Sequence, residues 1–336
     1  MTAPLLQVSN LTLATGYGDA ETTLLDRLSL ELAAGETVGV IGESGSGKSL
    51  LVRSLVGLLP RGVHQTDGTV QLAGTNISAA SERELRRLRG GTVGMVFQES
   101  IGSLDPLFTV GSQITEALRA HQRMSRSQAR ARAVQLLDDV GIPEPQERLR
   151  AYPHHLSGGM AQRVAIAIAI ANSPELLIAD EATTALDVTT QKQVIGLLKR
   201  IQAEHGCAII FVSHDLATVS EITQRVVVMY SGTVVESGPT AQVLNRPRHP
   251  YTAALLRSHP TPGTVPDQRT ILRGSVPSPG QWPTGCRFHP RCSRRDAERC
   301  HNEQPLLVDP EHATACHYPL TTPTGDPIER SKSHDN

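Results

Sequence analysis

An α/β protein is predicted: a core sheet of largely parallel strands, an antiparallel β region ahead of it, a helical insertion within it, and a small irregular cysteine-rich tail domain. Three observations carry this. The glycine-rich segment GESGSGKS, residues 42–49, sits between an apolar strand-like run and an apolar helix-like run. Two further aliphatic runs, LLIAD at 176–180 and AIIFVSH at 208–214, suit strands buried on both faces of a parallel sheet. After residue 246 prolines recur at 247, 250, 260, 262, 266, 277, 279, 283 and 290, which disfavours long regular elements there.

Taken in order, residues 5–35 read as short strands broken at GYGD and AAGE, hence the antiparallel β region. Residues 37–41 form a strand, followed by the glycine-rich loop and a helix over 49–59. TVGMVFQ, 92–98, is strand-like and ends in a polar residue. Apolar spacing is helical over 113–140 and again over 159–171, which places a helical insertion before the next core strand. LLIAD, a helix through 191–204 and AIIFVSH then complete the core. No internal repeat is visible and the glycine-rich loop occurs once, so the chain is a single unit of its kind. The expected organisation is a domain over 1–245, a tail domain over 246–320 and a disordered end over 321–336.

The composition excludes several classes. The chain has 336 residues with 39% hydrophobic content, enough for a buried core, and a net charge of −1. No like-charge block is long enough to suggest a nucleic-acid arm, and the arginines of 83–89 and 126–132 fall at the spacing of solvated helix faces. No apolar stretch reaches the ~18 residues that span a bilayer, and the start MTAPLLQVSN lacks a basic segment before an apolar core. A cytoplasmic protein is expected, with any membrane role supplied by partners.

GESGSGKS fits the phosphate-loop pattern in its confirming context of strand and helix. Across Gly42, Glu43, Ser44, Gly45, Ser46 and Gly47, backbone N–H groups can turn toward phosphate oxygens. Lys48 adds a charge at the β- and γ-phosphates, and the Ser49 hydroxyl can ligate Mg²⁺. ATP or a close relative is the expected ligand. Asp180 and Glu181 follow an apolar strand, at the edge where open α/β sheets bind ligands. Such a pair can merely open a helix, its carboxylates near the N-terminal dipole; downstream of a phosphate loop it reads as an aspartate for Mg²⁺ and a glutamate that polarises an attacking water. His214 ends AIIFVSH, where an imidazole can reach a terminal phosphate, and Gln98 ends TVGMVFQ in the same manner.

LSGGMAQR, 156–163, places Ser157, Gly158 and Gly159 at a helix start, where unpaired N–H groups form an anion site. With these motifs in order, the chain resembles the ATP-binding subunits of ABC transporters over residues 8–245. The resemblance implies an ABC-type nucleotide-binding domain that hydrolyses ATP. It also implies a head-to-tail dimer in which Ser157, Gly158 and Gly159 bind the γ-phosphate held by the opposite subunit. By the same resemblance Lys48, Ser49 and Asp180 bind nucleotide and Mg²⁺, and Gln98 senses the γ-phosphate at the Mg²⁺ site and faces the membrane subunits. Glu181 becomes the general base, Asp187 in TTALD the link across the dimer, and His214 the switch histidine. Two departures stand out: Ala182 replaces a frequent proline, and no adenine-stacking aromatic lies near Thr15, which leaves Tyr17 as the candidate.

FQESIGSLDPLFTVGSQITEAL, HPYTAALL and GSVPSPGQWPTGCRFHPRC resemble the di- and oligopeptide importers, a branch that also takes in nickel and opine importers. The tail cysteines Cys286, Cys292, Cys300 and Cys316 follow the spacing C-x5-C-x7-C-x15-C. Four cytosolic thiolates suit a metal better than disulfides, and spacing alone fits zinc or an iron–sulfur cluster. The resemblance favours a [4Fe–4S] cluster, with zinc or a metal-free fold as alternatives. Cys207, inside an apolar strand region, reads as a core residue. The implied partners are two membrane permease subunits, an extracytoplasmic substrate-binding protein and a second ATPase subunit, sister or self, at the cytoplasmic face of the membrane. A soluble relative acting on DNA or ribosomes would show a coiled coil, a second unit or a basic surface. A non-hydrolysing regulator would lack Glu181 or His214.

Overall fold

The computed structural model describes residues 3–98, 100–183, 186–258, 272 and 274–321. Two sheets organise them. The first, in the order β2-β1-β4-β5, is antiparallel and contains β1 (Leu6–Thr15), β2 (Thr22–Leu32), β4 (Val63–Leu72) and β5 (Thr75–Asn76). Alternate residues of β1 and β2, among them Leu6, Val8, Leu13, Leu28, Leu30 and Leu32, point into one apolar layer.

The second sheet has seven strands in the order β11-β10-β9-β3-β8-β7-β6. Its parallel part is β3 (Thr37–Ile41), β6 (Val93–Val96), β7 (Leu176–Asp180), β8 (Ala208–Val212) and β9 (Arg225–Tyr230). Every residue of β3, β7 and β8 is buried, as their aliphatic runs require. Register positions the site: Val40 and Asp180 both align with Val212, and Val96 aligns with Ala179. The loops leaving β3, β6, β7 and β8 therefore emerge together at one edge. β10 (Thr233–Pro239) runs antiparallel to β9.

Helix α1 (Lys48–Ser54) follows the phosphate loop, and α2 (Glu82–Leu88) opens on a Ser81–Glu84 capping box. The insertion between β6 and β7 holds α3 (Ser100–Ser103), α4 (Val110–His121), α5 (Arg126–Asp139), α6 (Pro145–Arg148) and α7 (Gly158–Ala169). The single helical run expected over 113–140 is in fact two helices. Gln122 leaves helical geometry, and Ser125 restarts the chain with a capping box to Gln128. Beyond β7 come α8 (Val188–His205), α9 (Leu216–Ile222), α10 (Thr240–Asn245) and α11 (Pro250–Ser258). Among the described residues no helix is long and apolar enough to cross a membrane.

The tail contributes only α12 (Arg299–Asn302) and β11 (Ala313–Thr314) as regular elements, and it lies directly on the core. β11 extends the main sheet by pairing Thr314 with Glu236 and Ala313 with Ser237. Cys286, Phe288 and Cys300 share one hydrophobic cluster with Tyr230 and Tyr251. The end expected to be disordered, 321–336, lies outside the described residues apart from Thr321.

Candidate functional site

The phosphate loop turns through glycines at positive φ, a conformation that other residues rarely adopt. Gly42 and Gly47 have φ of 151° and 103°. A Cβ on Gly42 would sit 2.3 Å from the Met229 carbonyl oxygen, and one on Gly47 2.6 Å from Leu25. The Lys48 ammonium folds back onto the loop, donating to the Gly42 and Glu43 carbonyls at 2.9 and 3.0 Å. Burial pushes its pKa down, against the opposing pull of Glu181, Asp180 and Glu43. A lysine held by carbonyls beside carboxylates is primed for a stronger anionic partner such as a phosphate.

Asp180, at the end of β7, is 2% exposed and accepts the Ser49 hydroxyl at 3.2 Å. Burial pushes its carboxyl pKa up, with the Ser49 hydrogen bond opposing. One residue on, Glu181 has a left-handed φ of 50° and its N–H bonds to the Val212 carbonyl at 3.0 Å. A non-glycine residue held in that region stores strain, which clusters at functional sites. Its carboxylate accepts the Gln98 amide at 2.9 Å and lies 3.7 Å from His214 Nδ1. Gln98 sits two residues beyond β6 rather than at its end. A cavity of about 450 Å³ joins these groups, lined by Gly42, Glu43, Ser44, Lys48, Gln98, Glu181 and His214.

Ser157, Gly158 and Gly159 do not line that cavity. Ser157 caps α7, accepting the Met160 N–H at 3.3 Å. A Cβ on Gly158 would meet nothing within 4 Å, so this helix start is open to an approaching anion. Asp187 caps α8 through Thr189 and Thr190, and its bond to the Thr190 side chain foremost holds its carboxyl below the usual range. Thr184 and Ala185 of the same motif lie outside the described residues. Tyr17 stands apart in the connection between β1 and β2, 74% exposed and stacked on His64 with ring centroids 4.8 Å apart.

A glycine-cradled lysine, a buried aspartate bonded to the serine next to that lysine, and a strained glutamate converge on one sheet edge. Comparison with known proteins assigns this arrangement. Residues 25–184 match the family model described as ABC transporter, and residues 235–300 match one described as oligopeptide/dipeptide transporter, C-terminal region. A putative peptide import ATP-binding protein of Brucella melitensis is 45% identical over 327 residues, covering 93% of this chain and 96% of the relative. The chain is an ATP-binding subunit of the ABC transporter family. The dipeptide transport ATP-binding protein DppD of Escherichia coli is 44% identical over 318 residues, covering 94% of this chain and 97% of its own. A dimeric ATP-binding cassette solved in a post-hydrolysis state with ADP and Pi superposes with a TM-score of 0.63 at 30% identity, covering 70% of this chain and 98% of that one. The subunit is an ABC-type ATPase, closely related to peptide-import ATPases.

The metal expected of the tail is corrected. Cys286, Cys292, Cys300 and Cys316 do border one small pocket, with Phe288, His289 and His317. Yet among the described residues no group of three or more His, Cys, Asp or Glu side chains is disposed to hold a metal ion. Neither the [4Fe–4S] cluster nor zinc, its alternative, stands. Burial above all pushes the Cys286 thiol up to about 11 and Cys316 to about 12, and raises Cys292 as well. Cys207 is likewise a buried thiol, pushed up to about 12 by burial. The tail is held by the ATPase core. Arg287 pairs with Asp26 and stacks 3.5 Å over the Trp282 ring, and the buried Glu236 accepts from the Arg248 and His249 N–H groups and from His312.

This docking brings in site residues that sequence reasoning missed. Leu255, Ser258 and Leu272 line the same cavity as Glu181 and His214. The Tyr251 hydroxyl accepts the Glu43 N–H of the phosphate loop at 2.9 Å, and Arg291 bonds the Glu43 carboxylate. HPYTAALL was the available signal, though as a segment it marks a branch and says nothing of where its tyrosine docks.

Proposed function

We propose that ATP turnover by this subunit drives uptake of dipeptides and short oligopeptides through separate membrane permeases. The observation that carries the reading is the pairing of a complete ATPase edge, from Lys48 to His214, with a docked C-terminal region of the oligopeptide/dipeptide type. Two relatives of nearly full coverage are named for peptide import and for dipeptide transport, which supports the choice of cargo.

In this reading residues 42–49 cradle the ATP phosphates and Lys48 moves from its loop carbonyls to the β- and γ-phosphates. Ser49 and Asp180, two hard oxygen donors already 3.2 Å apart, would hold Mg²⁺, which neutralises developing phosphate charge. Glu181 orients and deprotonates the attacking water, and Gln98 and His214 hold its carboxylate and meet the γ-phosphate. Ser157, Gly158 and Gly159 serve ATP on a second ATPase subunit, so closure is head-to-tail. Gln98 and the segment after it pass that closure to two permease subunits, with an extracytoplasmic binding protein delivering cargo. The ATPase is peripheral, at the cytoplasmic face. A deletion strain should lose growth on dipeptides as the sole source of a required amino acid and recover it with the wild-type chain but not with Lys48→Ala. Undiminished dipeptide uptake in the deletion strain would overturn the cargo assignment.

A further inference from the structure

We propose that Arg291 and Tyr251, both from the C-terminal region, are positioning residues that hold the phosphate loop through Glu43 and so set its affinity for ATP. Arg291 grips the Glu43 carboxylate with both guanidinium nitrogens, at 2.8 and 3.0 Å. Such bidentate, charge-assisted pairs fix orientation as well as adding strength. The Arg291 side chain is 6% exposed and that of Glu43 26%, so the pair is shielded from the solvent that weakens surface ion pairs. Tyr251, fully buried, accepts the N–H of the same residue. Glu43 is thus held at main chain and side chain, while its carbonyl receives Lys48 at 3.0 Å.

The grip is itself supported. Arg291 closes a 3-10 turn over His289–Arg291 and also reaches the Tyr230 hydroxyl at 3.4 Å. Tyr230, at the end of β9, packs against Tyr251 and Phe288 with ring centroids 4.6 and 5.3 Å away. The tail therefore presents its arginine from a rigid aromatic base, not from a free loop.

Two effects on nucleotide binding follow. The first is preorganisation: a loop whose second residue is fixed has less freedom to lose when phosphates arrive. The second is charge. Glu43 brings a carboxylate into a loop that must receive a polyanion, and Arg291 neutralises it; without Arg291 that carboxylate would repel ATP. Neither effect touches Glu181, Gln98 or His214, which leave from other strands. Binding and turnover should therefore separate.

The inference rests on residues 42–49 being the ATP phosphate site, and Lys48→Ala tests that point by itself. The experiment measures Mg·ATP binding to the full-length protein by calorimetry, and KM and kcat in the reconstituted transporter. Arg291→Ala should weaken ATP binding about tenfold, the scale of a lost charge-assisted contact, with a matching rise in KM and kcat within about twofold. Placed on Glu43→Gln, which has no carboxylate to neutralise, the same Arg291→Ala change should cost no more than about twofold. Tyr251→Phe keeps the ring and drops only the hydroxyl; it should weaken binding about threefold and carries the test alone if Arg291→Ala does not fold. Wild-type affinity in Arg291→Ala or, failing that variant, in Tyr251→Phe overturns the proposal, as does an undiminished loss on the Glu43→Gln background. Wild-type ATP binding by Lys48→Ala would instead overturn the placement of ATP.

Discussion

Gln98 donates its side-chain amide to the Glu181 carboxylate at 2.9 Å, joining the loops that leave two neighbouring parallel strands. That hydrogen bond ties the loop after β6 to the loop after β7 at the Glu181 carboxylate.

Hydrolysis should depend on that carboxylate far more than binding does. Glu181→Gln is expected to retain Mg·ATP affinity and lose about 10²–10⁴-fold in turnover, the usual worth of a positioned general base. Phosphate release and nucleotide binding measured on the same preparation separate the two. Turnover near that of the wild type would remove Glu181 from the role.

The absence of Ser157 from the cavity lining makes a second outcome predictable. In a complex of two copies, pairing one Ser157→Arg subunit with one Lys48→Ala subunit places both lesions in one composite site and spares the other. Crosslinking of an azido-ATP should then label the Ser157→Arg subunit and leave the Lys48→Ala subunit unlabelled in the closed state. Loss of closure at both sites would mean that Ser157 serves its own chain.

Stability should fall on mild acidification because of His249. This ring is 1% exposed and accepts the Tyr251 N–H at Nδ1 at 3.0 Å. Burial, opposed by the nearby Glu236, pushes its pKa from 6.5 down to about 4. Between those values the unfolded chain takes up a proton that the folded chain refuses, so the folded state is fully favoured above pH 6.5 and loses stability as pH falls toward 4. The loss reaches up to about 3 kcal/mol. Urea midpoints at pH 7, 6 and 5 should decline in the wild type and flatten in His249→Gln. Parallel declines in the two proteins would assign the effect to other groups.

The ATPase edge was legible because its signals are local. Glycines at 42, 45 and 47, the lysine and serine that follow, and an acidic pair after LLIAD each act within a few residues of chain. Aliphatic runs identified β3, β7 and β8 as buried strands, and parallel pairing then brings their ends to one edge. Helix ends inside the insertion were less legible: apolar spacing continues through 113–140, and only the capping at Ser125 shows where one helix stops and the next begins.

What the sequence determined by itself is the set of local motifs: a phosphate loop, and an acidic pair at the end of a buried strand, carried by short segments whose glycines and strand ends dictate local geometry. Tertiary structure decided the rest. Arg291 meets Glu43 across 248 residues of chain and Arg287 meets Asp26 across 261, so no spacing rule could pair them. Read alone, the proline-rich tail offers few regular elements; folded, it adds β11 to the edge of the main sheet and buries Phe288, Cys286 and Cys300 in one cluster with Tyr230 and Tyr251. Ion pairs and apolar contacts depend on distance in space, and only the completed fold brings those partners within range.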